Sequence, residues 1–413
     1  MLNFLFSLLR KFSLAIHKSK VQIKYSINLL INLLYKKKYL IYILLFVVFI
    51  CASIKIYIKG SNNYLIFKYV YYHIIDHTNL YIRDVSLFDD CNHYGPFFSL
   101  VIAPFVIWPD SVGALLFCGV MTIIFAIAIN SLPLNWKSKT AIYLITANDL
   151  FITTLGCETN TLITALIIGA FVAINKEKDF WAACFIMFGF FIKLYSIVGI
   201  IFILFSKHKL LLIGSLLFWS VIFFLLPITI TSPEFLFQSY FDWYESLIEK
   251  NIENANSLLQ DLSVMGMMRR ISGDRELSNI IVLIPAMFLF ALQLLKYRLF
   301  NDMNYRLLIL ASVLLFIVLF SSGSESPTYI IAFTGVGIWF TQQKHPYSKT
   351  VICLLLLAII FSSFATSDLL PHFIRVFLKT YALKALPCFA IWVFIFLQIM
   401  NKETFKNTIK LKY

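Results

Sequence analysis

Four carboxylates crowd one stretch of this chain: Asp76, Asp84, Asp89 and Asp90, the last two within Phe88-Asp89-Asp90-Cys91-Asn92-His93-Tyr94-Gly95-Pro96. A carboxylate partly withdrawn from water can take a proton from a substrate hydroxyl. Asp90 is the best-placed base and Asp89 its alternate, because Tyr94-Gly95-Pro96 return the chain abruptly to apolar sequence. His93 and Tyr94 are candidates for substrate contact. Glu158 and Asn160 lie between two apolar runs, and Lys193 between two more. A cation there suits a phosphate group; a headgroup-facing lysine is the plainer alternative. The Arg269–Arg270 pair suits a lipid phosphate, and Glu325 stands at the mouth of an apolar run. His372, Arg375 and Lys379 recur at spacings of three and four, so they share a face if helical and suit an anionic headgroup. Asp149 falls inside an apolar run, where an acid is costly and needs a polar partner; a contact between helices is expected of it and of Asn148.

Other chemistry is excluded or unsupported. No GxGxxG, Walker, HExxH or GxSxG pattern occurs, so soluble nucleotide chemistry is not expected. The seven cysteines form no CxxC pair and no His-rich spacing. Neither a zinc site nor a disulfide framework is expected, and no cofactor is predicted.

The elements that must position these residues are set by composition. The 413 residues are 60% hydrophobic and 14% charged, with 42 Phe, against about 45–50% and 25% in soluble domains. Lipid must solvate much of that surface. About twelve membrane spans follow, near 39–58, 111–132, 141–155, 161–174, 180–192, 195–205, 210–230, 280–295, 305–320, 328–340, 351–364 and 383–400. The fold class is therefore all-α, a polytopic transmembrane helical bundle. With both termini cytoplasmic, the basic clusters at Lys137/Lys139, Lys176/Lys178, Lys207/Lys209, Lys296/Arg298/Arg306 and Lys344/Lys349 fall inside, as the positive-inside rule requires. Segments 60–110, 231–279 and 365–382 then face outward as loops and interfacial helices. Three units are expected: a basic amphipathic cytoplasmic-face segment at 1–38, the bundle at 39–400, and a basic cytoplasmic tail at 401–413. The net charge of +14 is explained by anionic lipid at the inner leaflet, and no nucleic-acid partner is expected.

Four groups of residues carry a resemblance. They are Asp90-Cys91-Asn92-His93-Tyr94-Gly95-Pro96 with Ala103-Pro104-Phe105 and Pro109-Asp110; Phe191-Ile192-Lys193-Leu194-Tyr195; Ser324-Glu325-Ser326-Pro327-Thr328; and Leu383-Lys384-Ala385-Leu386-Pro387-Cys388 with Ile391-Trp392. In these the chain resembles bacterial members of glycosyltransferase family 87, of the GT-C superfamily. The resemblance implies a GT-C-type bundle in the bacterial inner (cytoplasmic) membrane. It implies transfer of a sugar, often mannose, from a polyprenyl-phosphate donor to a lipid or glycan acceptor at the outer face, with inversion. A first-loop acid is implied as base. Better-known members carry an Asp shortly after the first span; here that place reads Asn63-Tyr64-Leu65-Ile66-Phe67, which would shift the role to Asp90 or Asp89. Two other classes stay open. A lipid-linked-sugar flippase would show paired broken helices and mid-bundle charges, and only Asp149 fits. A surface-polysaccharide polymerase or ligase would show a large late outer loop, for which segment 231–279 is the candidate.

Overall fold

The computed structural model describes residues 38–257 and 260–401, and among them every regular element is helical. The amphipathic segment expected at 1–38, apart from Lys38, and the tail beyond Asn401 lie outside the described residues. Each apolar run named above coincides with a helical segment. In order these are α1 (Tyr39–Lys59), α4 (Asp110–Ser131), α5 (Trp136–Leu155), α6 (Asn160–Asn175), α7 (Asp179–Ile192), a 3-10 helix (Leu194–Phe205), α8 (Lys209–Leu225), α11 (Asn279–Leu294), α12 (Met303–Leu319), α13 (Tyr329–Thr341), α14 (Lys349–Phe361) and α16 (Ala385–Met400). Between them lie α2 (Asn62–Ile75), α3 (Phe98–Val106), α9 (Pro233–Asn256), α10 (Val264–Ser272) and α15 (His372–Thr380).

Length separates these helices. Four are long and apolar enough to cross a bilayer, counting Lys209–Thr229 and Lys349–Thr366 as single helices; a fifth is possible if the 63° bend joining α15 to α16 lies within one span. Of the others, α5 with 20 residues and α9 with 24 are long but less apolar, and the rest are shorter. α6 and α12 to α13 are buried on nearly all sides, the signature of helices at the centre of a bundle. α12 and α13 approach so closely that a Cβ on Gly335 would stand 2.8 Å from the Ala311 carbonyl oxygen. Small residues at such contacts let backbones meet where lipid offers no hydrophobic drive between helices. The outer helices keep apolar faces exposed: Leu217, Phe218 and Val221 on α8, and Ile280, Ile281, Ile284 and Phe288 on α11. This is a multi-pass membrane protein.

The basic connections gather at one end. Lys207 Nζ meets Glu177 Oε1 at 2.5 Å, and Arg306 Nη1 meets Asn175 Oδ1 at 2.6 Å. The connections carrying Asp90, Glu158, Lys193 and Glu325 lie at the other end of the same helices. There α9 caps the bundle. Ser232 accepts a hydrogen bond from the Phe235 amide at 3.2 Å, Pro233 occupies the first turn and Glu234 follows; cap, proline and acid each favour a helix start. Asn148 and Asp149 do tie helices together. The Asn148 amide donates to the Ser363 carbonyl at 2.9 Å, and the Ser363 hydroxyl donates to buried Asp149.

Candidate active site

One face of α9 grips the acidic loop. Trp243, Ser246 and Lys250, spaced three and four apart, line up along the helix. Trp243 Nε1 donates to the His93 carbonyl at 3.0 Å. Ser246 Oγ lies 2.8 Å from His93 Nδ1 and donates to the Asn92 carbonyl at 3.2 Å. Lys250 Nζ stands 3.2 Å from Asp90 Oδ2. Within the loop, the buried Asn92 side chain bonds both the amide and the carbonyl of Tyr94. Gly95 then passes beneath the end of α7, its amide donating to the Ile192 carbonyl at 3.2 Å. A Cβ on Gly95 would fall 2.3 Å from the Phe191 carbonyl oxygen and 3.0 Å from the Trp243 ring. Gly95→Ala is therefore expected to cost about 1–3 kcal/mol, the usual range for overpacking. A thermal-unfolding comparison in detergent checks it; an unchanged Tm would show that the loop gives way freely.

The loop, the α5–α6 connection, the break after α7, α9 and the α12–α13 connection enclose a cavity of about 510 Å³. Asp90, His93, Tyr94, Glu158, Asn160, Lys193 and Glu325, named from the sequence, all line it. Asp89 does not. It is exposed, and its carbonyl accepts from Arg83. Arg269 and Arg270 lie in a second, smaller hollow. Arg269 pairs with buried Asp261 at 2.7 Å, and Arg270 donates to the Lys379 carbonyl at 2.9 Å. His372 and Arg375 are on α15, where Arg375 pairs with Asp368. Lys250 was not singled out from the sequence. The same signal that marked Lys193, a cation on the side opposite the basic connections, would have found it.

Three carboxylates, Asp90, Glu158 and Glu325, line this cavity, and the first two are in different electrostatic states. For Asp90, burial works to raise the pKa, but Lys250, the Cys91 amide and His93 outweigh it and hold the carboxyl below its ordinary range. His93 is pushed down to about 4, first by burial and then by Lys250, so its ring is neutral at pH 7. For Glu158 burial wins: despite Lys193 nearby, its pKa is raised, with Glu325 adding to the shift. Glu158 Oε1 accepts from Asn63 Nδ2 at 2.9 Å, and Oε2 from the Tyr94 hydroxyl at 3.3 Å. Asn63, the residue at the position expected to be acidic, thus holds a carboxylate supplied by another connection.

Lys193 owes its place to a break in the chain. α7 ends at Ile192, Lys193 is extended (φ −151°, ψ 125°), and the 3-10 helix begins at Leu194. Its ammonium donates to Asn160 Oδ1 at 3.3 Å and lies 4.8 Å from the centre of the Tyr195 ring. Burial works against the charge, but Tyr94, Tyr195, Glu158 and Glu325 outweigh it and the pKa is raised. The cavity therefore offers a proton acceptor and a fixed cation within one enclosure, with apolar walls from Ile66, Phe67, Val198, Phe316 and Phe320.

The fold and site define a multi-pass helical membrane protein with a cavity at one end lined by carboxylates and ammonium groups. The particular family follows from comparison with known proteins. The family model described as Glycosyltransferase family 87 matches residues 92–322, more than half of the chain, and the protein belongs to that family. The matched stretch includes Tyr94, Glu158, Lys193 and Lys250. No curated protein matches the chain.

Proposed function

We propose that this glycosyltransferase moves a sugar from a polyprenyl-phosphate donor to a hydroxyl of a lipid or glycan acceptor, at the outer face of the bacterial inner membrane, with inversion. The observation that carries the reading is the pairing of Glu158 and Lys193 on one cavity between apolar walls. The acceptor oxygen attacks the anomeric carbon as the bond to phosphate oxygen breaks. The polyprenyl phosphate leaves with the electron pair, and the acceptor proton passes to a carboxylate. A phosphate leaving group needs no acid of its own, so one carboxylate suffices, unlike the two of glycosidases. Lys193 faces the phosphate charge that grows in the transition state.

Of the lining carboxylates Asp90, Glu158 and Glu325, we assign the base to Glu158. A base works best when its pKa approaches the working pH, and burial moves Glu158 that way. Asp90, first expected in this role from its loop, is occupied by Lys250 and is given the part of positioning that cation. The gathering of basic connections at the opposite end supports an outward cavity.

The pH dependence follows in sign. The base acts when deprotonated, so kcat/KM falls as pH drops through the Glu158 pKa. That limb is expected above the usual glutamate range, because the pKa is raised. Purified protein in lipid, supplied with radiolabelled polyprenyl-phosphate sugars and an extracted acceptor pool, gives the profile. A limb at or below the ordinary carboxylate range would return the role to Asp90. Labelled lipid moved across vesicles without a covalent product would replace the transferase reading with a flippase.

A further inference from the structure

The loop that α9 grips brings three different ligand types together. One ligand atom from each of Asp90, Cys91 and His93 lies within 4.8 Å of the others. Cys91 Sγ is 3.5 Å from His93 Nε2, and His93 Nε2 is 3.9 Å from Asp90 Oδ1. Zinc holds sulfur, nitrogen and oxygen at roughly 2.0–2.3 Å in a tetrahedron, which sets ligand–ligand separations of about 3.3–3.8 Å. The loop already stands close to that geometry.

Hydrogen bonding also suits the histidine to this role. The Ser246 hydroxyl reaches both the Asn92 carbonyl at 3.2 Å and His93 Nδ1 at 2.8 Å. When its proton goes to the carbonyl, its oxygen accepts from the Nδ1–H tautomer of His93, and the Nε2 lone pair is open toward Cys91 and Asp90. A second partner that sets tautomer and ring direction is the usual companion of a metal-binding histidine. Trp243 on the His93 carbonyl and Asn92 on Tyr94 hold the backbone on either side, so little ordering remains for a cation to impose. Lys250 pairs with Oδ2, while Oδ1 accepts from the Cys91 amide at 2.9 Å and has a second lone pair for the cluster.

We propose that Asp90, Cys91 and His93 form a binding site for a thiophilic divalent cation of zinc type, with the fourth position left to water or to an oxygen entering from the cavity. Thiolate and imidazole select zinc over magnesium, which prefers oxygen ligands and octahedral geometry. On binding, the Cys91 proton leaves to solvent and the thiolate becomes a ligand. With the carboxylate and the thiolate the cation is then neutralised, and Lys250 keeps Glu253, 3.8 Å away, as partner. No CxxC or His-rich spacing marks these ligands, because they share one tight loop. The inference rests on loop geometry and stands or falls apart from the sugar-transfer reading.

The test uses the full chain, freed of any purification tag, stripped with chelator and held in detergent. Zinc is titrated against a chromophoric chelator, and cobalt is used as a spectroscopic stand-in. One equivalent of zinc is expected, magnesium should not compete, and cobalt should give a sulfur-to-metal charge-transfer band. Cys91→Ser should remove that band and weaken zinc binding by at least about 100-fold, and Ser246→Ala should weaken it by about 10–100-fold. Cys353→Ser should change neither. Wild-type protein with no cobalt band, or equal zinc affinity in wild type and Cys91→Ser, would overturn the proposal. The wild-type band decides the matter even if a variant fails to fold.

Discussion

Glu158→Gln is expected to lower the rate of sugar transfer by about 10²–10⁴-fold, the usual worth of a positioned general base. The substitution removes the proton acceptor and one of the negative charges near Lys193, but keeps the shape and the hydrogen bonds of the side chain. The Gln carbonyl oxygen can still accept from Asn63 Nδ2, and its amide can donate to the Tyr94 hydroxyl that now donates to Glu158. An unchanged elution profile and Tm are therefore expected alongside the loss. Asp90→Asn is expected to cost far less, about 10-fold or under, because Asp90 is already engaged by Lys250 in a half-buried pair that holds a cation and takes no proton from the acceptor. Initial rates with labelled donor separate the two. A variant lacking Glu158 that works at the wild-type rate, with Asp90→Asn inactive, would reverse the assignment.

Removing the ammonium of Lys193 is the second large effect. Lys193→Met keeps the aliphatic stem and should lower kcat/KM by about 10²–10³-fold, as for the loss of one preorganised donor at developing charge. The charge sits in an enclosure with few other cations; Lys250 is already paired with Asp90. Lys193→Arg should recover only part of the loss. A planar guanidinium cannot take the place of a compact ammonium between Asn160 and the ring of Tyr195. Binding of polyprenyl phosphate alone gives a second readout, and it should weaken in step. Wild-type affinity and rate in Lys193→Met would mean that the cation only holds Asn160 and the tyrosine rings.

The fold was readable because lipid makes simple demands on sequence. Apolar runs bounded by Lys and Arg mark helices and their ends, and even the short runs at 180–192 and 195–205 are separate elements. Their conformation was not readable: nothing in Leu194-Tyr195-Ser196 signals a 3-10 helix rather than an α-helix. The site was readable as residue types but not as partners. Asp89 and Asp90 are neighbours in an irregular loop, and backbone direction alone sends one to water and the other toward Lys250. Arg269 is half of a buried pair with Asp261, a match between distant positions of a short segment that spacing does not reveal. Asn63 looked like a lost carboxylate. Only the contact across 95 residues to Glu158 shows that a carboxylate is still there.

The 3-10 helix also solves a problem of reach. Its 12 residues rise about 2.0 Å each and so cover about 24 Å. α6 beside it needs 16 residues at about 1.5 Å each for the same depth. The lower end is moored, since Ser206 donates to Asp179 at 2.6 Å and Lys207 pairs with Glu177. Wound as an α-helix, the same residues would span only about 18 Å, leaving Lys193 about 6 Å short of Asn160. The stretched winding is a spacer, and the height of the cation in the cavity is set by how tightly those residues coil.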